Sequence, residues 1–190
     1  MKNNFFAFLS RMKYINRWGL MRSTHVENIQ EHSLQVAMIA HGLAVIKNKY
    51  FGGNINAEKV AAVAMYHDAS EIITGDLPTP VKYHNRDIIA SYKDLEKLAN
   101  EKIISFLPPE MQEEYKELFF CEDSYIERLV KASDKLSAYI KCVEETNAGN
   151  KEFQIAKKTL KAWLDSCDMP EVEYFMKNFM DGFSLSLDEM

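Results

Sequence analysis

A histidine and two carboxylates stand close together in the segment 66–71, which reads YHDASE. His67 and Asp68 are adjacent, and Glu71 follows three positions later. The residues just before them, 60–65, are all small or apolar, which predicts that the segment lies on a buried helix. Burial of a histidine and two carboxylates in such surroundings is costly unless they are paired or bind a metal ion. The segment therefore predicts a polar site inside the protein, with a divalent ion as one explanation.

Two further side chains could complete such a site from other helices. His32 lies in an apolar segment near the start of the chain, and Asp134 lies at the edge of a later apolar stripe, among small residues. Two imidazoles and two carboxylates suit manganese, iron, cobalt, nickel or zinc better than calcium, which prefers oxygen ligands. A buried histidine can also serve only as a hydrogen-bonded core residue, so the spacing alone leaves both interpretations open.

The segment that carries His32 predicts a long helix from about Ile29 to Lys47. Asn28 can cap its N-terminus. Apolar residues surround nearly the whole helix axis, which is typical of a buried central helix. We therefore expect it to lie at the centre of the fold.

The segment that carries His67 and Asp68 predicts a second helix, capped by Asn56 and continuing towards Gly75. A glycine at that place is a plausible helix stop. Residues 76–85 follow, and because Pro78 and Pro80 interrupt them, we expect no regular helix there.

The rest of the chain continues to show helical periodicity. No stretch of alternating β-branched residues predicts a sheet, so we expect an all-α protein that forms a single domain over residues 1–190. The further helices are predicted at about Asp87–Phe106, Tyr125–Thr146, Lys151–Leu164 and Glu171–Phe183.

Composition excludes several classes of protein. The chain has 190 residues, with 23 Lys and Arg against 28 Asp and Glu, a net charge of −5 that argues against binding a nucleic-acid polymer. No apolar run is long enough to span a membrane, so we expect no membrane partner. The three cysteines contain no CxxC pair, which indicates a reducing, cytoplasmic compartment.

Five stretches of the chain carry a resemblance to a known family. Residues 15–22, 27–41, 66–83, 129–145 and 183–189 resemble the bacterial HD-domain 5′-deoxynucleotidases, members of the HD-domain metal-dependent phosphohydrolase superfamily. The block from HDASE to TGDLPTP is the most specific of these stretches, whereas a bare His-Asp pair is not specific. The resemblance covers essentially the whole chain and implies an HD-domain-like helical bundle.

The resemblance implies an activity and a set of site residues. The activity is hydrolysis of deoxyribonucleoside 5′-monophosphates to deoxynucleoside and phosphate by a metal-activated water. The enzyme is expected to be a homodimer that uses one divalent ion, and Co²⁺ or Mn²⁺ is the first choice. The metal positions of the family fall on His32, His67, Asp68 and Asp134. The substrate positions fall on Arg17, Trp18, Asp76, Leu77, Pro78 and Thr79.

The chemistry of these residue types fits those roles. Arg17 has a permanently charged, planar guanidinium that can bind two phosphate oxygens, and we therefore expect it to be a catalytic residue as well as a substrate-binding one. Glu71, one helical turn beyond the His-Asp pair, is placed to take or return a proton. Trp18 offers a flat wall to the sugar, and Asp76 offers an acceptor for the sugar 3′-hydroxyl.

Two alternatives remain open from the sequence. One is an HD-domain phosphohydrolase that acts on another nucleotide, such as a triphosphate or a guanosine alarmone. The other is a non-catalytic helical domain that binds a nucleotide. Measured phosphate release from different nucleotides distinguishes them.

Overall fold

A computed structural model describes residues 3–82 and 84–190 of the protein. These ranges contain α-helices and short 3₁₀ turns but no β-strand, apart from one isolated antiparallel bridge between Asn16 and Asn28. The prediction of an all-α protein is therefore confirmed. Within the same ranges, no helix is both long enough and apolar enough to cross a membrane. The helices are α1 (Phe5–Leu9), α2 (Ile29–Tyr50), α3 (Ala57–Tyr66), α4 (Glu71–Thr74), α5 (Thr79–Lys82), α6 (Arg86–Ile104), α7 (Gln112–Phe119), α8 (Ser124–Asn147), α9 (Gln154–Asp165) and α10 (Pro170–Asn178).

Helix α2 packs against α3, α8 and α10 and forms the middle of the main core. Asn28 caps it by accepting hydrogen bonds from the backbone N–H groups of Gln30 and Glu31. The prediction that α2 is buried around its whole circumference is wrong, because its neighbours cover only part of it. The uncovered side forms an exposed apolar stripe of Leu34 (52% exposed), Met38 (64%) and Val45 (37%).

The helix predicted to run from Asn56 to Gly75 is interrupted. Asn56 caps α3 as predicted, but α3 ends at Tyr66 and residues 67–70 form turns before α4 begins. In these turns, N–H groups bond three residues back, as from Glu71 to the Asp68 carbonyl at 3.0 Å. Gly75, with φ of 73°, ends α4 as predicted, since that left-handed backbone conformation favours glycine. His67 and Asp68 therefore project from a turn rather than from a continuous helix.

The proline segment after Gly75 contains one short helix. We expected no regular helix in residues 76–85, and this is wrong for Thr79–Lys82, which form α5. Pro80 lies in the first turn of α5, where a missing N–H costs nothing because that group has no partner within the helix. The turn is closed by the Pro78 carbonyl, which accepts from the N–H groups of Val81 (2.8 Å) and Lys82 (3.0 Å).

A second, smaller apolar cluster lies beneath the turn that carries His67 and Asp68. Its buried residues are Phe5 of α1, Ala69, Ile103 near the end of α6 and Leu107 just beyond that helix. Phe5 also meets the ring of Tyr115 in α7 edge to face at 4.7 Å. Neither α1 nor α7 was predicted from the sequence. Both helices pack into the apolar cluster that contains Ala69 of this turn.

A buried ion pair in α8 anchors the long loop between α1 and α2. Lys141 Nζ lies 2.7 Å from Glu145 Oε1, and the two side chains are 5% and 1% exposed. Glu145 also accepts from the backbone N–H of Thr24 (2.9 and 3.0 Å), while Lys141 donates to the His25 carbonyl at 2.6 Å. The loop that contains Arg17 and Trp18 is therefore tied to α8.

Candidate active site

Three side chains from two segments meet at the centre of the candidate site. His32 of α2 and His67 and Asp68 of the turn after α3 each offer a ligand atom, and these atoms lie within 4.8 Å of one another. His32 is fully buried, and the other two are partly buried. The distances suit a single ion held between the helices.

Asp134 approaches the same centre from α8. Its Oδ1 lies 3.1 Å from His32 Nε2, and Asp68 Oδ2 lies 3.5 Å from the same nitrogen. The structure thus brings the four side chains singled out in the sequence to one place, from three separate segments of the chain.

The hydrogen bonds of the two histidines leave the inward nitrogens free to bind a metal. Ser137 Oγ donates to Gln35 Oε1 at 2.6 Å, so it can accept from His32 Nδ1 at 3.1 Å. His67 Nδ1 lies 2.7 Å from the Ala64 carbonyl, which can only accept. In the neutral rings the proton is then on Nδ1, and both Nε2 lone pairs face carboxylate oxygens.

This donor set fits a divalent cation. His67 Nε2 is buried and has no hydrogen-bond partner among the described residues, although Asp68 Oδ2 lies 3.2 Å away. Two facing acceptors repel each other unless a proton or a cation lies between them. Histidines that ligate a metal usually donate their other ring N–H to the protein, as both rings do here.

The pKa shifts show how the carboxylates remain charged. Burial opposes ionisation of both, but His67 lowers the pKa of Asp68, and the contact with His32 lowers that of Asp134. Burial lowers the pKa of His32, whereas for His67 the Asp68 carboxylate outweighs burial and raises the pKa. Two partly buried negative charges therefore attract positive charge to the centre of the site.

Arg17 supplies such positive charge beside the centre. Its Nη1 lies 3.1 Å from Asp68 Oδ2 and its Nη2 lies 3.9 Å from Asp134 Oδ1. Its side chain is only 13% exposed. The two Nη groups therefore point to the place where an anionic group of a substrate would meet the carboxylates.

Trp18 stands next to Arg17 in an unusual backbone conformation. Its φ of 60° lies in the left-handed region, which bulky residues rarely adopt. The indole packs against the ring of Phe153, with 5.3 Å between centroids, and its Nε1–H donates to Glu27 Oε2 at 2.9 Å. The ring is held in one orientation beside the site.

Glu71 is buried at the start of α4. It is 5% exposed, and within the part of the chain that the structure describes its Oε2 has no hydrogen-bond partner. Burial, together with the nearby charges of Asp68 and Asp76, raises the pKa of Glu71 to about 9. A carboxyl group in this environment is suited to exchange protons with a substrate.

The segment after Gly75 lies beside these residues. Asp76, Leu77 and Pro78 are partly buried, and burial raises the pKa of Asp76. The positive charge of Arg17 lowers the pKa of Asp76 and the negative charge of Asp68 raises it, so Asp76 lies near both groups. Thr79 begins α5, and its side chain lies outside the described part of the structure.

One residue of the site, Glu27, was missed in the sequence. Its Oε2 accepts from Arg17 Nε at 3.2 Å as well as from Trp18 Nε1. A glutamate just before a helix N-terminus is typical of helix starts, which gave no reason to assign it a further role. The only signal is its place in the stretch ENIQEH, five positions before His32.

Comparisons with known proteins agree on one family. A family model described as 5′-deoxynucleotidase YfbR-like matches residues 4–183. A 5′-deoxynucleotidase of Photorhabdus laumondii is 54% identical over 190 residues, covering 99% of this chain and 96% of the relative. A 5′-deoxynucleotidase of Yersinia pestis is 54% identical over 192 residues, with the same coverage.

Solved structures share the fold. An HD-domain phosphohydrolase of Listeria innocua superposes with a TM-score of 0.82 at 24% identity, covering 95% of this chain and 88% of the other. The cyanophage S-2L HD phosphohydrolase, solved with dA and one catalytic Zn²⁺ ion, gives a TM-score of 0.63 at 19% identity, covering 93% and 96%. The helical arrangement is therefore that of the HD-domain phosphohydrolases.

Proposed function

The chain belongs to the YfbR-like 5′-deoxynucleotidase family and is a phosphoric monoester hydrolase, and we propose that it acts with one divalent metal ion held by His32, His67, Asp68 and Asp134. Its substrates are deoxyribonucleoside 5′-monophosphates, which it hydrolyses to deoxynucleoside and phosphate. The observation that carries this function is the 54% identity to 5′-deoxynucleotidases over 99% of the chain. The facing Nε2 atoms and carboxylates support the metal.

The donor set supports a transition metal, and we propose Co²⁺ or Mn²⁺. Two imidazoles and two carboxylates leave further positions of such an ion for water and substrate. The ion would supply Lewis acidity at the phosphoryl group and lower the pKa of a water molecule beside it. The remaining tasks of binding, orientation and proton transfer fall to the residues of the chain.

Arg17 binds the phosphate. Its Nη groups point at the carboxylates of the site, so a substrate phosphate beside the metal would lie within their reach. A guanidinium can bind two phosphate oxygens with parallel hydrogen bonds, which fixes the phosphorus relative to the attacking water.

Glu71 exchanges the proton. A buried carboxyl group whose pKa is raised can return a proton to the leaving 5′-oxygen, and once ionised it can take one from the attacking water. None of the described residues forms a hydrogen bond with Glu71 Oε2.

The sugar lies between Trp18 and the segment Asp76–Thr79. The fixed indole provides a wall that leaves no room for a 2′-hydroxyl, and Asp76 accepts a hydrogen bond from the 3′-hydroxyl. Pro78 stiffens the segment, which lowers the entropy cost of binding. Leu77 and Thr79 complete this side of the site.

The activity is tested by removing and restoring the metal. We expect no phosphate release from dAMP after chelation, and release after Co²⁺ or Mn²⁺ is added back. Release from AMP should be much slower, and dATP should not be hydrolysed. Release from dATP instead would favour the alternative of another HD-domain phosphohydrolase. No release with any metal would favour a nucleotide-binding domain.

We further propose that the protein forms a homodimer through the exposed stripe of α2. Leu34 lines a groove of about 510 Å³ together with Phe6 and Met65, and the exposed Met38 lies one helical turn further along the stripe. Apolar surface of this kind is typical of protein interfaces. We expect Met38→Glu to give a monomer in sedimentation velocity. Leu98→Glu, at an exposed apolar residue of α6, should remain dimeric. A monomeric wild-type protein would contradict the proposal.

A cytoplasmic location is also part of the proposal. Cys121, Cys142 and Cys167 are all free thiols in the structure, which suits a reducing compartment. Fractionation of cells that express the full chain tests it.

A further inference from the structure

We propose that Glu27 is a positioning residue that couples phosphate recognition to sugar recognition. A single oxygen, Glu27 Oε2, accepts from Arg17 Nε at 3.2 Å and from Trp18 Nε1 at 2.9 Å. The inference rests on the proposed function, in which Arg17 binds the phosphate and Trp18 faces the sugar. It assigns to Glu27 the relative placement of these two groups.

The backbone places Glu27 opposite the residues it holds. The Arg17 N–H donates to the Glu27 carbonyl at 2.9 Å, and the flanking Asn16 and Asn28 form the isolated antiparallel bridge. The Glu27 side chain is 12% exposed and that of Arg17 13%. Side chains so enclosed by their own loop have few other orientations open to them.

The hydrogen bonds divide the guanidinium of Arg17 into two edges. Glu27 occupies Nε, while Nη1 and Nη2 point to the carboxylates of Asp68 and Asp134. An arginine held by Nε presents its Nη1 and Nη2 edge to the site, where Nη1 now donates to Asp68 Oδ2 at 3.1 Å and where a phosphate would bind with two parallel hydrogen bonds. Without Glu27 the guanidinium can turn and pair fully with the two carboxylates instead.

The backbone of Trp18 is strained, so its side chain must be held by contacts with other residues. A bulky residue in the left-handed region persists only where surrounding contacts fix it. The tilted contact with the Phe153 ring restrains one side of the indole, and the hydrogen bond to Glu27 fixes its rotation. Loss of that bond frees the wall that excludes a 2′-hydroxyl.

The test compares Glu27→Ala, Glu27→Gln and Glu144→Ala. Glutamine keeps a carbonyl oxygen that can accept both hydrogen bonds. Glu144 is an exposed carboxylate of α8 whose charge interacts with that of Glu27, so its removal changes the local charge and leaves Arg17 and Trp18 in place. Steady-state rates with dAMP and AMP are measured for all three variants and the wild type.

We expect Glu27→Ala to lower kcat/KM for dAMP by about 10²-fold, the cost of a small misplacement of a binding group. The ratio of kcat/KM for dAMP to that for AMP should fall in the same variant. Glu27→Gln should retain that ratio, and Glu144→Ala should match the wild type. A role in stability alone would reduce the amount of folded protein without changing the ratio.

A second measurement does not depend on activity. The chain has two tryptophans, Trp18 and Trp163. In ¹H–¹⁵N spectra, the indole Nε1–H resonance of Trp18, assigned with Trp163→Phe, should shift in Glu27→Ala and not in Glu144→Ala. An unchanged resonance, or an unchanged dAMP to AMP ratio in an active Glu27→Ala enzyme, overturns the inference. Failure of the proposed function is separate, because the wild type itself would then release no phosphate from dAMP.

Discussion

Replacing Glu71 by glutamine is expected to lower kcat for dAMP by about 10²–10⁴-fold, the usual contribution of a general acid or base. Glutamine has nearly the same shape as glutamate but cannot exchange a proton. Because Glu71 is 5% exposed and its Oε2 has no hydrogen-bond partner in residues 3–82 and 84–190, the substitution breaks no hydrogen bond of that oxygen there. We therefore expect Glu71→Gln to fold normally and to bind dAMP with little change.

The measurement pairs turnover with binding. Phosphate release gives kcat, calorimetry gives the dissociation constant for dAMP, and metal analysis gives the bound ion. Glu58→Gln, at an exposed carboxylate in the first turn of α3, is the control and should behave as the wild type. Unchanged kcat in Glu71→Gln would remove this residue from the mechanism.

Replacing Lys141 by methionine is expected to lower the free energy of unfolding by about 3–5 kcal/mol, the cost of leaving a buried partner charge uncompensated. Methionine retains most of the apolar stem of lysine, so the loss comes from the charge and the hydrogen bonds. Glu145, which is only 1% exposed, would then have lost the cation that neutralises its charge.

The chain contains a matched control for this substitution. Lys161 and Asp165 also pair at the i and i+4 positions of a helix, at 2.7 Å, but their side chains are 52% and 56% exposed. Exposed helix pairs contribute about 0.3–0.5 kcal/mol, so Lys161→Met should have little effect. Urea unfolding at one fixed protein concentration measures both variants. Equal losses would show that burial does not set the strength of the pair.

The same ion pair gives the protein a defined acid sensitivity. Burial raises the pKa of Glu145, but hydrogen bonds from Lys141, Thr24 and Asn150 outweigh it and lower the pKa to about 2. A carboxylate with a lowered pKa stabilises the folded state above its ordinary pKa. That stabilisation is lost as the pH falls from there towards 2. Protonation of Glu145 in acid should therefore loosen the loop at Thr24 in the wild type.

Several of the longer helices and two of the helix caps were predictable because they depend on local sequence. Helix α8 was expected at about Tyr125–Thr146 and spans Ser124–Asn147, and the caps at Asn28 and Asn56 form as expected. Apolar spacing and capping chemistry act within a few residues, so a single sequence records them.

Features that depend on contacts between distant segments were not predictable in the same way. The exposed stripe of α2 arises because no neighbour covers that side, although its composition resembles the covered side. The break at residues 67–70 and the positive φ of Trp18 are likewise set by packing. Tertiary contacts override local preference at such places.

The candidate site shows the same division. Residue type and helix assignment brought His32, His67, Asp68 and Asp134 into consideration, and the family resemblance selected them from other buried polar residues. Glu27 escaped because a glutamate before a helix is ordinary in sequence. Its role depends on a loop that folds back so that Arg17 and Trp18 meet one oxygen.

The tie between the loop and α8 has a consequence for how the protein is made. Thr24 and Glu145 bond across 121 positions, and His32 and Asp134 meet across 102. At about 5–20 residues per second, synthesis of the chain separates those last two residues by roughly 5–20 s. Contacts of such long range form late, once their loop-closure entropy can be repaid. The emerging N-terminal half therefore holds His32, His67 and Asp68 without Asp134, and the proposed metal site is complete only when α8 joins the fold.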